Sequence, residues 1–251
     1  MAILSESAPQ TARRSTVLSS IWQFCRQNPL GAAGAVVVFV MGFMAIFADF
    51  VTWNDPTRNN FGVMLEPPSA DYWLGTDQYG RDLYARIVYG ARTALMVGFV
   101  SAFVGATIGL ILGVASAYFG GRFDLIFQRV MDVLMAFPLV ILALAVVSIF
   151  GTGVENVILA ITIPFIPRCA RVVRSSALAV RETPYIDEAR ACGFSHTRIV
   201  LRHMVPNVMA PYLIMMTAAV GQAILIEASL SFLGLGVQEP VPAWGLMLRG
   251  G

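Results

Sequence analysis

The sequence predicts an all-α protein, a polytopic bundle of membrane-spanning helices. Three observations point there. The first is composition: of 251 residues, 57% are hydrophobic and 13% charged, with a mean hydropathy of +0.71. A soluble domain carries about 25% charged residues, so half the usual charge is missing. The second is the gathering of apolar residues into long runs nearly free of charge. The third is the uneven placement of arginine between the two sides of those runs. The net charge of +2 is too small to argue for nucleic acid.

Taken in order, residues 1–27 carry Arg13 and Arg14 with no apolar core beside them, so they are no cleavable signal peptide. The first span runs from Leu30 to Ala48, opened by Asn28-Pro29 and closed by Asp49; the whole segment is 28–50. Residues 51–92 form an external segment. Within it Asp77/Arg81 and Asp82/Arg86 are acid-before-base pairs four apart, a pattern that predicts a surface helix. Leu83, Ile87 and Ala91 give that helix an apolar stripe. The second span is Thr93 to Gly121 and the third Val133 to Phe150, closed by Gly151-Thr152-Gly153. The fourth, Val157 to Pro167, extends past Arg168 to Val173 and is expected to kink at Pro164 and Pro167. The fifth runs from Asn207 to Ile226 and on beyond Glu227 to Leu235.

Arginine orients the spans; the chain has no lysine. With the N-terminus in the cytoplasm, Arg122, Arg129, Arg171, Arg174, Arg181, Arg190, Arg198 and Arg202 join Arg13, Arg14 and Arg26 inside. Arg58, Arg81, Arg86, Arg92 and Arg249 fall outside. Short inner loops then hold the excess. Five spans leave the C-terminus outside, and a sixth helix is expected beyond Leu248-Arg249-Gly250-Gly251.

The polar segment 174–205 is therefore cytoplasmic. Thr183 is the expected N-cap, with Pro184 in the first turn of a short helix over Tyr185 to Cys192. Asp187 and Glu188 favour its early turns, and Gly193 is the stop signal. Ser195 is expected to cap a second helix through Met204, ended by Pro206. Ile186, Ala189, Phe194, Ile199 and Val200 give the loop an apolar side that a plain solvated connector would not need.

Two acids lie at or near membrane depth, where charge is costly. Asp132 follows Arg129 by three residues, an ion-pair spacing; Glu227 has no local partner and either bonds a facing helix or lines a path. Both are candidates for the translocation path or the polar interior. Cys25, Cys169 and Cys192 share no ligand spacing, and His196 and His203 lack a third ligand nearby, so no metal site is expected. The methionines Met209, Met215 and Met216 suit packing or an adaptable lining. No nucleophile–base or paired-carboxylate arrangement stands out, so the chain is not expected to be an enzyme.

Asp187-Glu188-Ala189, then Gly193, then Val205-Pro206 resembles the "EAA" loop of the transmembrane subunits of ATP-binding-cassette importers. That loop's pattern is Glu-Ala-Ala, three residues, Gly, nine residues, Ile-x-Leu-Pro; here His203 and Val205 replace Ile and Leu. The stretch Leu74-Gly75-Thr76-Asp77-Gln78-Tyr79-Gly80-Arg81-Asp82, with Arg86, Gly90 and Arg92 after it, resembles the peptide/nickel branch of these permeases. So do Arg129-Val130-Met131-Asp132 with Phe137-Pro138, the run Glu227 to Gly236, and Pro242-Ala243-Trp244-Gly245. The Asn28-Pro29-Leu30 helix matches the extra first helix of the branch's "C"-type permease.

The resemblance implies a type I importer permease, with residues 93–251 as its core. It implies a multi-pass protein of the bacterial cytoplasmic membrane, moving di- or oligopeptides inward. It implies a homologous permease, two ATPase subunits (or one used twice) and an external binding protein as partners. ATP and Mg would sit on the ATPases, with no cofactor in this chain, which lacks the lysine of a phosphate loop. The loop residues Asp187, Glu188, Ala189, Gly193, Val205 and Pro206 would dock on the ATPases, and Asp77, Arg81, Asp82 and Arg86 would meet the binding protein. Nickel or another small solute is the alternative cargo. An ion-coupled secondary transporter would need inverted repeats and unwound half-helices, which the sequence does not display.

Overall fold

A computed structural model describes residues 22–249 apart from Phe24; the expectations for residues 1–21 lie outside the described residues. The chain divides into two compact units, 1–41 and 42–251. The described residues are helical and contain no strand, only an isolated antiparallel bridge between Thr76 and Asp82.

Helix α1 is Pro29–Ile46, with proline in its first turn, where a missing N–H costs nothing. Its 18 residues reach about 27 Å at ~1.5 Å per residue, enough to cross a bilayer core. A single turn, α2 (Ala48–Val51), follows.

The second span differs from expectation at its start. Helix α3 covers Leu83–Phe119, 37 residues, and absorbs the stretch read as an external helix. Asp82 is its N-cap, accepting a hydrogen bond from the Tyr84 amide at 2.9 Å. An Asp82/Arg86 pair is therefore not made, because the carboxylate is spent on the cap. Asp77 and Arg81 do pair, but across a tight turn and not along a helix.

The third span is not one helix. Helix α4 (Gly121–Met135) and helix α5 (Leu139–Phe150) meet at 91°. Pro138 lacks the amide a helix would need and pushes Phe137 out of helical geometry, so the ladder ends before it. Pro138 then opens α5, its carbonyl accepting from the Leu142 amide at 3.0 Å.

Helix α6 (Val154–Arg181, 28 residues) remains one helix through Pro164 and Pro167. Helix α7 (Pro184–Ala191) and the single turn α8 (His196–Ile199) follow. A π-helical turn over Val200–Met204 and a 3-10 turn over Val205–Val208 then lead into α9 (Met209–Phe232). The path from His196 to Phe232 is thus one continuous helical rod. Pro206 does not terminate it: proline sits in the first turn of the 3-10 segment, where no amide bond is lost. A short helix, α10 (Trp244–Arg249), ends the described chain.

Four helices are long and apolar enough to cross a membrane, or five if α4 and α5 form one bent span. In the second unit, α3, α6 and α9 make the core. Gly105, Gly109 and Gly113 line one face of α3 and let α6 approach to backbone contact: a Cβ on Gly109 would lie 2.7 Å from Cys169 Cβ and 2.9 Å from the Ile166 carbonyl. Close approach through small residues is how membrane helices gain dispersion contacts where no hydrophobic drive separates them from lipid. One apolar cluster, with Val97, Val147, Val157, Ile161, Phe165 and Leu230, fills the Leu83 end of the bundle. A second, with Leu110, Val173, Ile186, Ile199, Met204 and Val208, fills the Phe119 end and reaches into the loop helices.

Candidate coupling surface and polar anchors

Helix α7 is fastened by its apolar side. Ile186 is fully buried and Ala189 nearly so, both in the cluster formed with α3, α6 and α9. Positions 186 and 189 share one face, so Asp187, Glu188 and Arg190 point outward and are exposed. Asp187 and Arg190 pair at 3.0 Å; Glu188 makes no ion pair among the described residues. Of the six loop residues singled out from sequence, Asp187, Glu188, Gly193 and Pro206 are exposed, Val205 is half-buried, and Ala189 belongs to the anchor.

The end of α7 is closed by two backbone bonds, Gly193 amide to Arg190 carbonyl at 2.9 Å and Phe194 amide to Ala189 carbonyl at 3.1 Å. This paired closure requires a left-handed residue, and Gly193 has φ +75. Thr183 occupies the N-cap without capping through its side chain; its hydroxyl donates backward to the Val180 carbonyl instead. Ser195 does cap α8, accepting from the Arg198 amide at 3.4 Å.

Aromatic groups hold the two turns together. His196 Nδ1 and the Tyr118 hydroxyl are 2.6 Å apart, joining α8 to the end of α3. Phe194 stacks on His203 at 6.0 Å, and Arg198 lies 3.9 Å over the Phe194 ring. Asn207 Nδ2 donates to the His203 carbonyl at 2.6 Å and to the Tyr185 hydroxyl at 3.1 Å, tying α7 to the root of α9. A force on α7 is therefore passed to α9 through packed and bonded groups. The π turn within this link, at Val200–Met204, is a feature the sequence did not reveal.

At the opposite end, the four residues expected to face outward are drawn inward. Arg81 is 5% exposed and Arg86 1%. Glu239, which sequence reasoning missed, joins them: it accepts from Arg81 Nη1 at 2.5 Å and lies 3.4 Å from Arg86 Nη2. Asp77 accepts from Arg81 Nε at 2.7 Å, and Arg86 Nη1 donates to the Pro56 carbonyl at 3.1 Å. Burial works against the charge on Arg81, but the hydrogen bonds to Glu239 and Asp77 outweigh it and raise its pKa. The Asp82 carboxylate also accepts from Asn54 Nδ2 at 2.9 Å. With Thr93 Oγ1 donating to the Pro242 carbonyl at 2.9 Å and Trp244 Nε1 to the Ile87 carbonyl at 3.0 Å, these bonds lock residues 51–82 and 237–246 around the start of α3. Glu239 stands 158 residues from Arg81, too far for any local pattern to reveal it.

The two acids near membrane depth part company. Asp132 does not pair with Arg129. It is exposed and pairs with Arg171 on α6, since the α4–α6 packing brings that guanidinium closer. Glu227 is interior, 1% exposed. It has a local partner after all: Ser231, one turn later, donates to it at 2.7 Å and in turn accepts from the Val237 amide at 3.1 Å. Glu227 thus pins the end of α9 to the following loop. Glu227→Gln keeps an acceptor at the same place and is expected to assemble and to keep uptake within about twofold. Glu227→Leu orphans the Ser231 hydroxyl and is expected to cost about 1–3 kcal/mol. Thermal unfolding of the purified protein in detergent checks both; equal melting of the Gln and Leu proteins would dismiss the anchor.

No group of three or more His, Cys, Asp or Glu among the described residues could hold a metal ion.

Comparison with known proteins agrees with this architecture. The chain is 42% identical over 218 residues to a putative peptide transport system permease protein of Brucella suis, covering 87% of this chain and 73% of that one. It is 40% identical over 223 residues to the dipeptide transport system permease protein DppC of Alkalihalophilus pseudofirmus, covering 89% and 73%. It is 38% identical over 229 residues to the glutathione transport system permease protein GsiD of Escherichia coli, covering 91% and 76%. In fold it is similar to a chain of the MetNI methionine ABC transporter in an inward-facing conformation: TM-score 0.53 at 22% identity, covering 61% of this chain and 76% of that one. Residues 16–68 match the N-terminal TM domain of oligopeptide transport permease C. Residues 91–250 match the binding-protein-dependent transport system inner membrane component, and with those relatives the match establishes that this chain belongs to that family of membrane permeases.

Proposed function

We propose that this chain is one pore-forming half of a binding-protein-dependent importer of di- or oligopeptides, driven by ATP hydrolysis on partner subunits. The observation that carries the reading is helix α7. It is capped by a left-handed glycine, buried by Ile186 and Ala189, and exposes Asp187, Glu188 and Arg190. Such a helix has a free polar face to seat in a cleft and a rigid root in α6 and α9. The names of its relatives support peptides as cargo. The partners are a homologous permease, two ATPase subunits or one used twice, and an external binding protein; ATP and Mg are held by the ATPases. The binding protein docks on the end bearing residues 51–82, whose shape Arg81, Arg86 and Glu239 maintain. The test is purification with the neighbouring chains and uptake in vesicles, with peptides, nickel and unrelated solutes in competition. Uptake blocked by nickel and not by peptides would replace the cargo. Purification without any ATPase chain would remove the coupling.

The chain lies in the bacterial cytoplasmic membrane, with its N-terminus and residues 174–205 in the cytoplasm. Both Asn59 and the native Cys192 are exposed in the structure, which gives a clean pair of probes. A membrane-impermeant maleimide added to whole spheroplasts is expected to label Asn59→Cys and to leave Cys192 unlabelled until the membrane is opened. Labelling of Cys192 in sealed cells would invert the topology.

A further inference from the structure

Helix α6 carries four arginines in its second half, and three are provided for. Arg174 makes two bonds to Asp124, at 2.6 and 2.5 Å. Arg171 pairs with Asp132, and Arg181 donates to the Ala117 carbonyl at 2.8 Å. Arg168 differs: its partner is the neutral side chain of Gln222 on α9, Nη1 to Oε1 at 3.1 Å. Arg168 is also the deepest of the four. It lies within the fourth apolar run, six residues before the cytoplasmic segment that starts at 174, about 9 Å at ~1.5 Å per residue. A guanidinium stays charged within an apolar run, where charge is costly. A charge held there without a counter-charge among the described residues calls for a function.

Its surroundings indicate which. Arg168 is half-buried and Gln222 exposed, so the pair opens away from the bundle core. Beside it lies a notch of about 80 Å³, walled by Phe165, Met215, Ala218 and Ala219. The notch admits a small group and not a whole peptide. The guanidinium repels cations, and most of its donors stay free in a planar fork that matches a carboxylate. The Gln222 amide group can serve a second oxygen.

Building on the reading of the chain as a peptide permease, we propose that Arg168 and Gln222 form an intramembrane subsite for the terminal carboxylate of the transported peptide. Every unblocked peptide presents that group whatever its sequence. The flexible thioether of Met215 and the two alanines leave its side chains unread. One charged anchor in an otherwise permissive path lets a single permease pass many peptides.

The test uses the whole complex in vesicles, comparing uptake of tri-alanine and tri-alanine amide at concentrations that load the binding protein equally. The native complex is expected to favour the free acid at least tenfold. Arg168→Gln is expected to lower uptake of the acid at least tenfold, to the rate of the amide, while Arg168→Lys stays within about threefold of native. Uptake of the acid by Arg168→Gln within threefold of native overturns the subsite. So does an equal loss for acid and amide, which would mark a structural role. If Arg168→Gln does not assemble, Arg168→Lys decides: an acid preference near the native one supports the subsite, and no preference or no assembly overturns it. A native complex that imports neither compound sinks the peptide reading itself, a result distinct from all of these.

Discussion

Replacing Gly109 with valine is expected to prevent stable assembly of the bundle. Gly109 faces α6 where the two helices approach to backbone contact. A Cβ there would lie 2.7 Å from Cys169 Cβ, 2.9 Å from the Ile166 carbonyl oxygen and 3.0 Å from the Ala170 amide nitrogen. Two of those three atoms are backbone and cannot rotate aside. Gly113 is held the same way, its Cβ position 2.6 Å from the Ala170 carbonyl. Valine would force the two helices apart and break the contacts of Gly105, Gly109 and Gly113 together. Overpacking a core costs about 1–3 kcal/mol when side chains can adjust, and here backbone must move, so the loss should exceed that range. Ile111, two residues on, is exposed on the outer side of α3, and Ile111→Val should be nearly silent. The measurement is the yield and melting temperature of the complex in detergent. A Gly109→Val complex that melts with the native one would mean that α3 and α6 are not held by this approach.

The glycine row was visible in the second apolar run, at spacing four, but spacing alone does not say which helix lies opposite. That limit recurs. Hydropathy found α1, α6 and α9 because a membrane span must be a long apolar helix whatever surrounds it. It placed the second span ten residues late, because the polar residues 77–92 looked like water-exposed sequence. In the fold Arg86 is buried against Glu239, a partner from the far end of the chain. The third run differs for the opposite reason: Phe137-Pro138 was in plain view, apolar continuity outweighed it, and the structure bends the run by 91° there. Among the site residues, Gly193 and the exposed positions of α7 were legible because caps are local. Asp132 was not, since Arg171 lies 39 residues away; the serine one turn after Glu227 was in view and overlooked, while the Val237 amide that completes that anchor needs the fold to place it. The π turn at Val200–Met204 has no local code of that kind.

Replacing Gly193 with valine is expected to leave the protein in the membrane and abolish its coupling. The residue has φ +75, and a Cβ there would meet nothing within 4 Å. The cost is therefore backbone strain and not a clash, about 1–2 kcal/mol for a left-handed residue with a Cβ and more for a β-branched one. Strain of that kind is relieved locally. The bonds from Gly193 to Arg190 and from Phe194 to Ala189 would open, and the last turn of α7 with them. Phe194 would leave its stack on His203, so α7 would lose its fixed angle to α9. The spans α3, α6 and α9 make no use of those bonds and should insert and pack as before. Uptake and substrate-stimulated ATP hydrolysis are expected to fall together, by tenfold or more, in a complex that still purifies whole. Asp187→Ala and Glu188→Ala should do less, because neither side chain holds the helix in place. Asparagine tolerates the left-handed region better than other residues with a Cβ, so Gly193→Asn should recover much of the activity. That recovery separates backbone geometry from mere bulk at the docking face. ATPase assays on the reconstituted complex, with and without loaded binding protein, give the answer. Native stimulation in Gly193→Val would reduce α7 to a connector and remove the physical basis for its docking role.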